Sequence, residues 1–128
     1  MENIPLVPVS IGELFDKNSI LEIKLDMIKD EEKLNQVKNE LKHLKGNIDR
    51  FPIPKELYEK LMSVNRKLWI IEDRLRIKEK NNEFDDEFIE LARSVYYTND
   101  ERGDTKKEIN TYFGSDINEV KDYCDYKK

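Results

Sequence analysis

Leu57, Leu61, Val64, Leu68, Ile71 and Leu75 recur at steps of four, three, four, three and four residues. Side chains at that spacing line one side of an α-helix, and such a row leaves water only by packing against another helix. The chain is therefore committed to helix-on-helix layers. A second row, Tyr58, Met62 and Trp69, flanks the first. An apolar arc that wide predicts either a central helix between two neighbours or a face used in a homodimer. Pro54 at a first-turn position and Lys78 and Lys80 in the last turn predict a helix over 54–80, with Leu61, Leu68, Ile71 and Leu75 buried.

The remaining segments read the same way. Pro5 and Pro8 deny a helix to residues 1–9, leaving an extended apolar strap of Ile4, Leu6, Val7 and Val9. "SIGE" at 10–13 is a capping box, with Val9 and Leu14 placed as a hydrophobic staple. Ile11, Leu14, Leu21, Leu25 and Ile28 mark one face, and Leu34, Val37, Leu41, Leu44 and Ile48 another. The step from Ile28 to Leu34 is six rather than seven, so the stripes are out of phase by roughly 100°. A straight helix over 10–48 would also outrun its partners, at about 58 Å against about 40–45 Å. A kink or short turn near Asp30, itself a candidate cap, is predicted. Asn82 as cap and Phe84 open a helix over 83–113 that Gly114 stops, although Gly103-Asp104 weakens its middle. Asp116 and Glu119 form a candidate capping box for a short helix over 115–124. The fold expected is all-α, a single domain over 1–128: an antiparallel bundle or coiled-coil-like hairpins with three long arms, the first broken, plus the short terminal helix.

Composition narrows the class of function. With 40% charged residues, 38% hydrophobic residues, four Gly and four Pro, the chain belongs with surface-charged helical proteins. No apolar run approaches the roughly 18 residues of a membrane span, and the start lacks a signal-peptide pattern, so a cytoplasmic location is expected. The single Cys124 agrees with a reducing compartment. A net charge of −5 disfavours free nucleic acid as a partner.

Several short patterns are coincidental. "RGD" at 102–104 lies inside a helical pattern, and "NDERGD" puts Arg102 and Ile109 where calcium ligands belong. The only histidine, His43, falls on the outer side of its helix. The basic run "RKLWIIEDRLRIKEK" is interleaved with Glu72, Asp73 and Glu79, and Glu72 to Arg76 is a favoured i,i+4 pair. No zinc spacing, phosphate loop or nucleophile elbow occurs, so neither a metal nor a cofactor is expected and no catalytic residue can be assigned.

One polar constellation stands out on the last long helix. Its inward stripe runs Phe84, Phe88, Leu91 and Val95, then turns polar through Thr98, Asn99, Arg102 and Lys106 before Ile109 and Phe113. Asn99, Arg102, Lys106 and Asn110 share one face, with Arg93 two turns upstream of Arg102. In the first helix Asp16, Lys17 and Lys24 fall near or between apolar positions, and Glu13 to Lys17 is an i,i+4 pair. Cations on a seam need a partner or water. Two readings follow: ion pairs with acids on a neighbouring helix, or an anion-binding pocket of Lys17, Lys24, Arg93, Asn99, Arg102, Lys106 and Asn110.

"VSIGELFDKNSILEIKLDMI", "KLNQVKNEL" and "FIELARSVYYTNDERGDTKKEIN", followed by "GSDINEVKDY", resemble a family of small uncharacterised all-helical proteins of bacteria and phages. The resemblance spans nearly the whole chain and implies the helical fold without an activity. The function expected is a non-catalytic helical interaction or oligomerisation protein, forming a homodimer or binding a protein partner. The alternative is a small ligand-binding protein or enzyme acting on an anionic metabolite.

Overall fold

The computed structural model describes residues 3–127 and is all-helical. Helices α1 (Ile11–Met27), α2 (Glu31–Ile48), α3 (Lys55–Lys80) and α4 (Asp86–Phe113) follow in chain order. The predicted break near Asp30 is present: Ile28 and Asp30 both have extended backbone, and Asp30 stands at the N-cap of α2 without a side-chain cap bond. The break turns the chain back on itself. Lys17 on α1 reaches Glu40 on α2 at 3.3 Å, a contact that only two helices lying side by side and antiparallel allow. The six-residue step thus falls where the chain reverses. The row Leu34, Val37, Leu41, Leu44 and Ile48 is the only part of α2 withdrawn from solvent, and α2 packs on α1 alone.

The central element is α1 rather than α3. It touches each of the other three helices, and its buried residues, Gly12, Phe15, Asp16, Asn18, Ser19, Leu21 and Ile23, spread over about 220° of its circumference. A helix packed against three neighbours over most of its surface has no single narrow apolar stripe. For that reason the row read from Ile11 to Ile28 omitted Phe15 and Ile23, each 1% exposed. α3 and α4 form a long antiparallel hairpin, tied by Lys60–Glu108 at its base and Arg74–Glu87 near its tip. Of the α3 heptad row, Leu61, Val64, Leu68 and Ile71 are buried and Leu57 and Leu75 half-buried. The core gathers where α1 crosses this hairpin. Leu61 and Ile109 are fully buried against Phe15, which stacks on Phe113 and meets Tyr58 edge-on, both at 6.0 Å between centroids. Ile48, Phe51 and Ile53 close the cluster from below.

Several boundaries differ from expectation. α4 begins at Asp86 with Asp85 as its cap, whose carboxylate accepts the Phe88 amide at 2.9 Å. Asn82 instead takes a left-handed conformation, φ 56°, and turns the chain between α3 and α4, which leaves Phe84 outside the helix and exposed. α4 runs unbroken through Gly103 to Gly114, a left-handed stop at φ 63°. No helix forms over 115–124. The carboxylate that would close its capping box, Glu119, is bound to Lys106 at 2.9 Å. Residues 1 and 2 of the expected strap lie outside the described residues; residues 3–9 form no helix and are exposed, Leu6 and Val7 most of all at 89% and 72%.

At the start of α1 the hydrogen bonds explain a close crossing. Ser10 Oγ accepts from the Glu13 amide at 3.0 Å, but the reciprocal half of the capping box is missing because Glu13 reaches Lys106. The other free amides are met by α4 and its exit: Ile11 N–H by Ser115 Oγ at 3.1 Å and Gly12 N–H by Asn110 Oδ1 at 2.6 Å. A Cβ on Gly12 would stand 2.4 Å from the Lys106 carbonyl oxygen, a backbone atom inside a helix that cannot yield. Alanine elsewhere in a helix gains about 0.5–1 kcal/mol over glycine. Here Gly12→Ala is expected to lose about 1–3 kcal/mol to overpacking, measured by urea unfolding. A gain in stability would show that the two helices are not in contact at Gly12.

Candidate functional site

Between α1 and the C-terminal half of α4 lies a polar seam centred on Asp16, which is 1% exposed. Arg102 engages both carboxylate oxygens, its Nε at 3.0 Å from Oδ1 and its Nη2 on Oδ2. Asn65 of α3 donates from Nδ2 to Asp16 Oδ1 at 2.9 Å and to Ser19 Oγ at 2.8 Å, and Ser19 in turn donates to the Asp16 carbonyl at 2.7 Å. Lys106, 8% exposed in its side chain, lies 2.6 Å from Glu13, 2.9 Å from Glu119 and 4.0 Å from Asp16. Among the described residues, no buried side-chain nitrogen or oxygen lacks a partner.

The electrostatics follow from these contacts. The Asp16 carboxylate raises the pKa of Arg102, outweighing the effect of partial burial. Burial works against the Lys106 ammonium, but Glu13 and Glu119 more than offset it and its pKa is raised. The Lys106 contact holds Glu119 below the usual carboxylate range. Beside the seam, burial pushes up the pKa of Tyr58, whose hydroxyl accepts from Asn18 and donates to Glu22, both at 2.9 Å.

Arg102, Lys106 and Asn110 are brought together, and of the two readings of their seam the geometry is that of ion pairs with acids on neighbouring elements. Two cations face three carboxylates, so an anion placed there would meet net negative charge. Asn110 caps α1. Lys17 lies exposed against Glu40 instead of pairing with Glu13, which Lys106 has drawn away. Lys17, Lys24 and Arg102 line a small cavity of about 190 Å³ in which Glu13, Asp16 and Glu40 balance their charge. Arg93 and Asn99 do not join the seam. With Arg102 they line a larger cleft of about 920 Å³ under the C-terminal segment.

Asp16 was visible as an acid among apolar positions, but its partner Asn65 was not. Asn65 interrupts the α3 pattern directly after Val64, and a carboxamide beside a heptad position was the available signal. Glu119 was hidden by its fit to a capping box.

A family model described as a family of unknown function (DUF6165) matches residues 6–126, and the chain belongs to that family. No curated protein and no solved structure matches it.

Proposed function

We propose that this member of the family of unknown function is a non-catalytic helical interaction protein that self-associates through the outer half of its α3–α4 hairpin. One observation carries the reading. The groove between α3 and α4 is filled by α1 only along its inner half. Tyr58 and Asn65 on α3, and Lys106 and Asn110 on α4, all reach α1. Continued at the same three- and four-residue steps, the two rows arrive at Trp69 on α3 and at Tyr96, Ala92 and Ile89 on α4. α1 has already ended at Met27, one residue past the Asp26–Arg66 ion pair. Its 17 residues span about 26 Å, whereas the 26 of α3 span about 39 Å. The outer groove keeps its apolar lining without a helix in it, and Ile89 and Tyr96 are 51% and 60% exposed.

A second copy is the occupant that the charges favour. Residues 74–80 of α3 carry Arg74, Arg76, Lys78 and Lys80 against Glu79 alone, and 83–90 carry Glu83, Asp85, Asp86, Glu87 and Glu90 with no base. Within one chain Arg74 and Lys78 already pair with Glu83, Asp85 and Glu87, and two arms side by side, tip beside tip, would set the remaining Lys80 of each near Asp86 and Glu90 of the other. That self-complementarity is what a two-fold interface requires. The wide arc of Tyr58, Met62 and Trp69 contributes less than its sequence suggested, since all three are half-buried within one chain.

Ile89→Glu tests the interface by placing a carboxylate in the empty groove. Because Ile89 is exposed, the change should alter monomer stability by less than about 0.5 kcal/mol. It is expected to reduce the mass in light scattering to the 15.3 kDa of one chain. A variant that keeps the dimer mass would place the contact elsewhere.

A further inference from the structure

The cleft under the C-terminal segment borders the self-association groove at Tyr96 and otherwise has its own lining, with chemistry that the fold does not use. Beyond Gly114 the chain runs back along α4 without regular structure. It is pinned at one end by Glu119 on Lys106. At the other, Tyr126 donates to Asp100, and Lys127 Nζ lies 3.7 Å from the same carboxylate. The Tyr126 ring packs edge-on against Tyr97 at 5.2 Å and tilted against Tyr96 at 5.9 Å. Between these pins lies a half-open cleft of about 920 Å³, within the roughly 300–1,000 Å³ typical of small-molecule sites.

The lining has two features together. Four tyrosines, Tyr96, Tyr97, Tyr123 and Tyr126, line the cleft, with Tyr126 packed against the first two. Four cations, Arg93, Arg102, Lys121 and Lys127, face only Asp100 and Asp125, in a chain whose net charge is −5. Arg102 is committed to Asp16 and Lys127 to Asp100. The Arg93 side chain makes no ion pair or hydrogen bond among the described residues. Lys121 lies over Gly103, where a Cβ would come within 3.4 Å of its Nζ, and acts on Glu119 only through space. Among the described residues, unpaired cations such as Lys29, Lys33 and Lys38 also occur on open surface; Arg93 and Lys121 differ from them in lining a tyrosine-rich cleft.

Arranged tyrosines offer flat faces for stacking a ring. Guanidinium and ammonium groups without carboxylate partners are suited to a phosphate. The geometry points to a binding site, between α4 and the C-terminal segment, for a small aromatic molecule bearing a phosphate, with Arg93 holding the anion beside the Tyr96 and Tyr97 rings and Lys121, about 15 Å further along α4, adding positive charge at the far end. The acidic remainder of the surface repels a nucleic-acid strand and leaves a single monomer as the fitting ligand.

Calorimetric titration of the full chain with AMP, CMP and 4-nitrophenyl phosphate tests this, with adenosine and inorganic phosphate as separate arms. At least one of these three aromatic phosphates is expected to bind saturably in the millimolar range or below, at least tenfold tighter than adenosine or inorganic phosphate alone. Arg93→Gln combined with Lys121→Gln should weaken it by about tenfold or more. Both residues are exposed, so an unchanged unfolding curve checks that the variant is folded. Amide shifts in NMR should cluster at residues 93–102 and 121–127. Absence of binding by all three probes overturns the proposal. So does binding that phosphate or adenosine alone matches, that survives the double substitution, or that shifts amides elsewhere.

Discussion

Asp16→Ala is expected to lower the stability of the folded chain by about 3–5 kcal/mol, the cost of breaking a buried ion pair from one side. The size follows from what remains behind. Arg102, only 29% exposed in its side chain, loses both of its hydrogen bonds to the carboxylate, and Asn65 loses one of its two. The Arg102 charge then has no carboxylate in contact, and Lys106 loses the third of its acids. Adding Arg102→Ala to the same chain removes the orphaned charge, so the double variant should lose less than the sum of the singles. Chemical unfolding of the four proteins measures this coupling. A loss below half a kcal/mol for Asp16→Ala would mean that α1 is not docked through this seam.

The second large effect is apolar. Leu61→Ala removes a fully buried side chain between Phe15 and Ile109, and a loss of about 2–5 kcal/mol is expected. The upper part of that range is favoured because the surrounding rings of Phe15, Tyr58 and Phe113 brace one another and cannot collapse into the space. Thermal unfolding checks it. A change under half a kcal/mol would put the α3 heptad row out of register with the core.

Both residues bear on what could be read without a structure. Leu61 belonged to a strictly periodic row, and a row of that kind has one place to go, against other helices. The hairpin at 28–30 was announced by the phase slip between Ile28 and Leu34, but phase does not say whether a chain kinks or reverses. That depends on whether the Leu34–Ile48 stripe finds cover beyond α1 or beside it. The central helix was hardest to read, because α1 buries Asp16, Asn18 and Ser19 alongside Phe15 and Ile23. A polar residue is buried when a partner far along the chain satisfies it, and the partners here, Asn65, Tyr58 and Arg102, lie 40 to 86 residues away. The seam on α4 was legible as a demand for counter-charges. Which acids answered, Asp16, Glu13 and Glu119, was a matter of packing. The C-terminal segment misled because Asp116 and Glu119 suit a helix locally, and the tertiary ion pair with Lys106 outweighs that preference.

Self-association through the outer α3–α4 groove is the claim on which the functional reading stands, and sedimentation equilibrium of the unaltered chain tests it most directly. At tens of micromolar the account predicts a species of twice the 15.3 kDa chain mass that dissociates on dilution. The apolar groove should sustain it at moderate salt, while the rim charges make it weaken as salt rises. A single species of 15.3 kDa across the whole concentration range would contradict it.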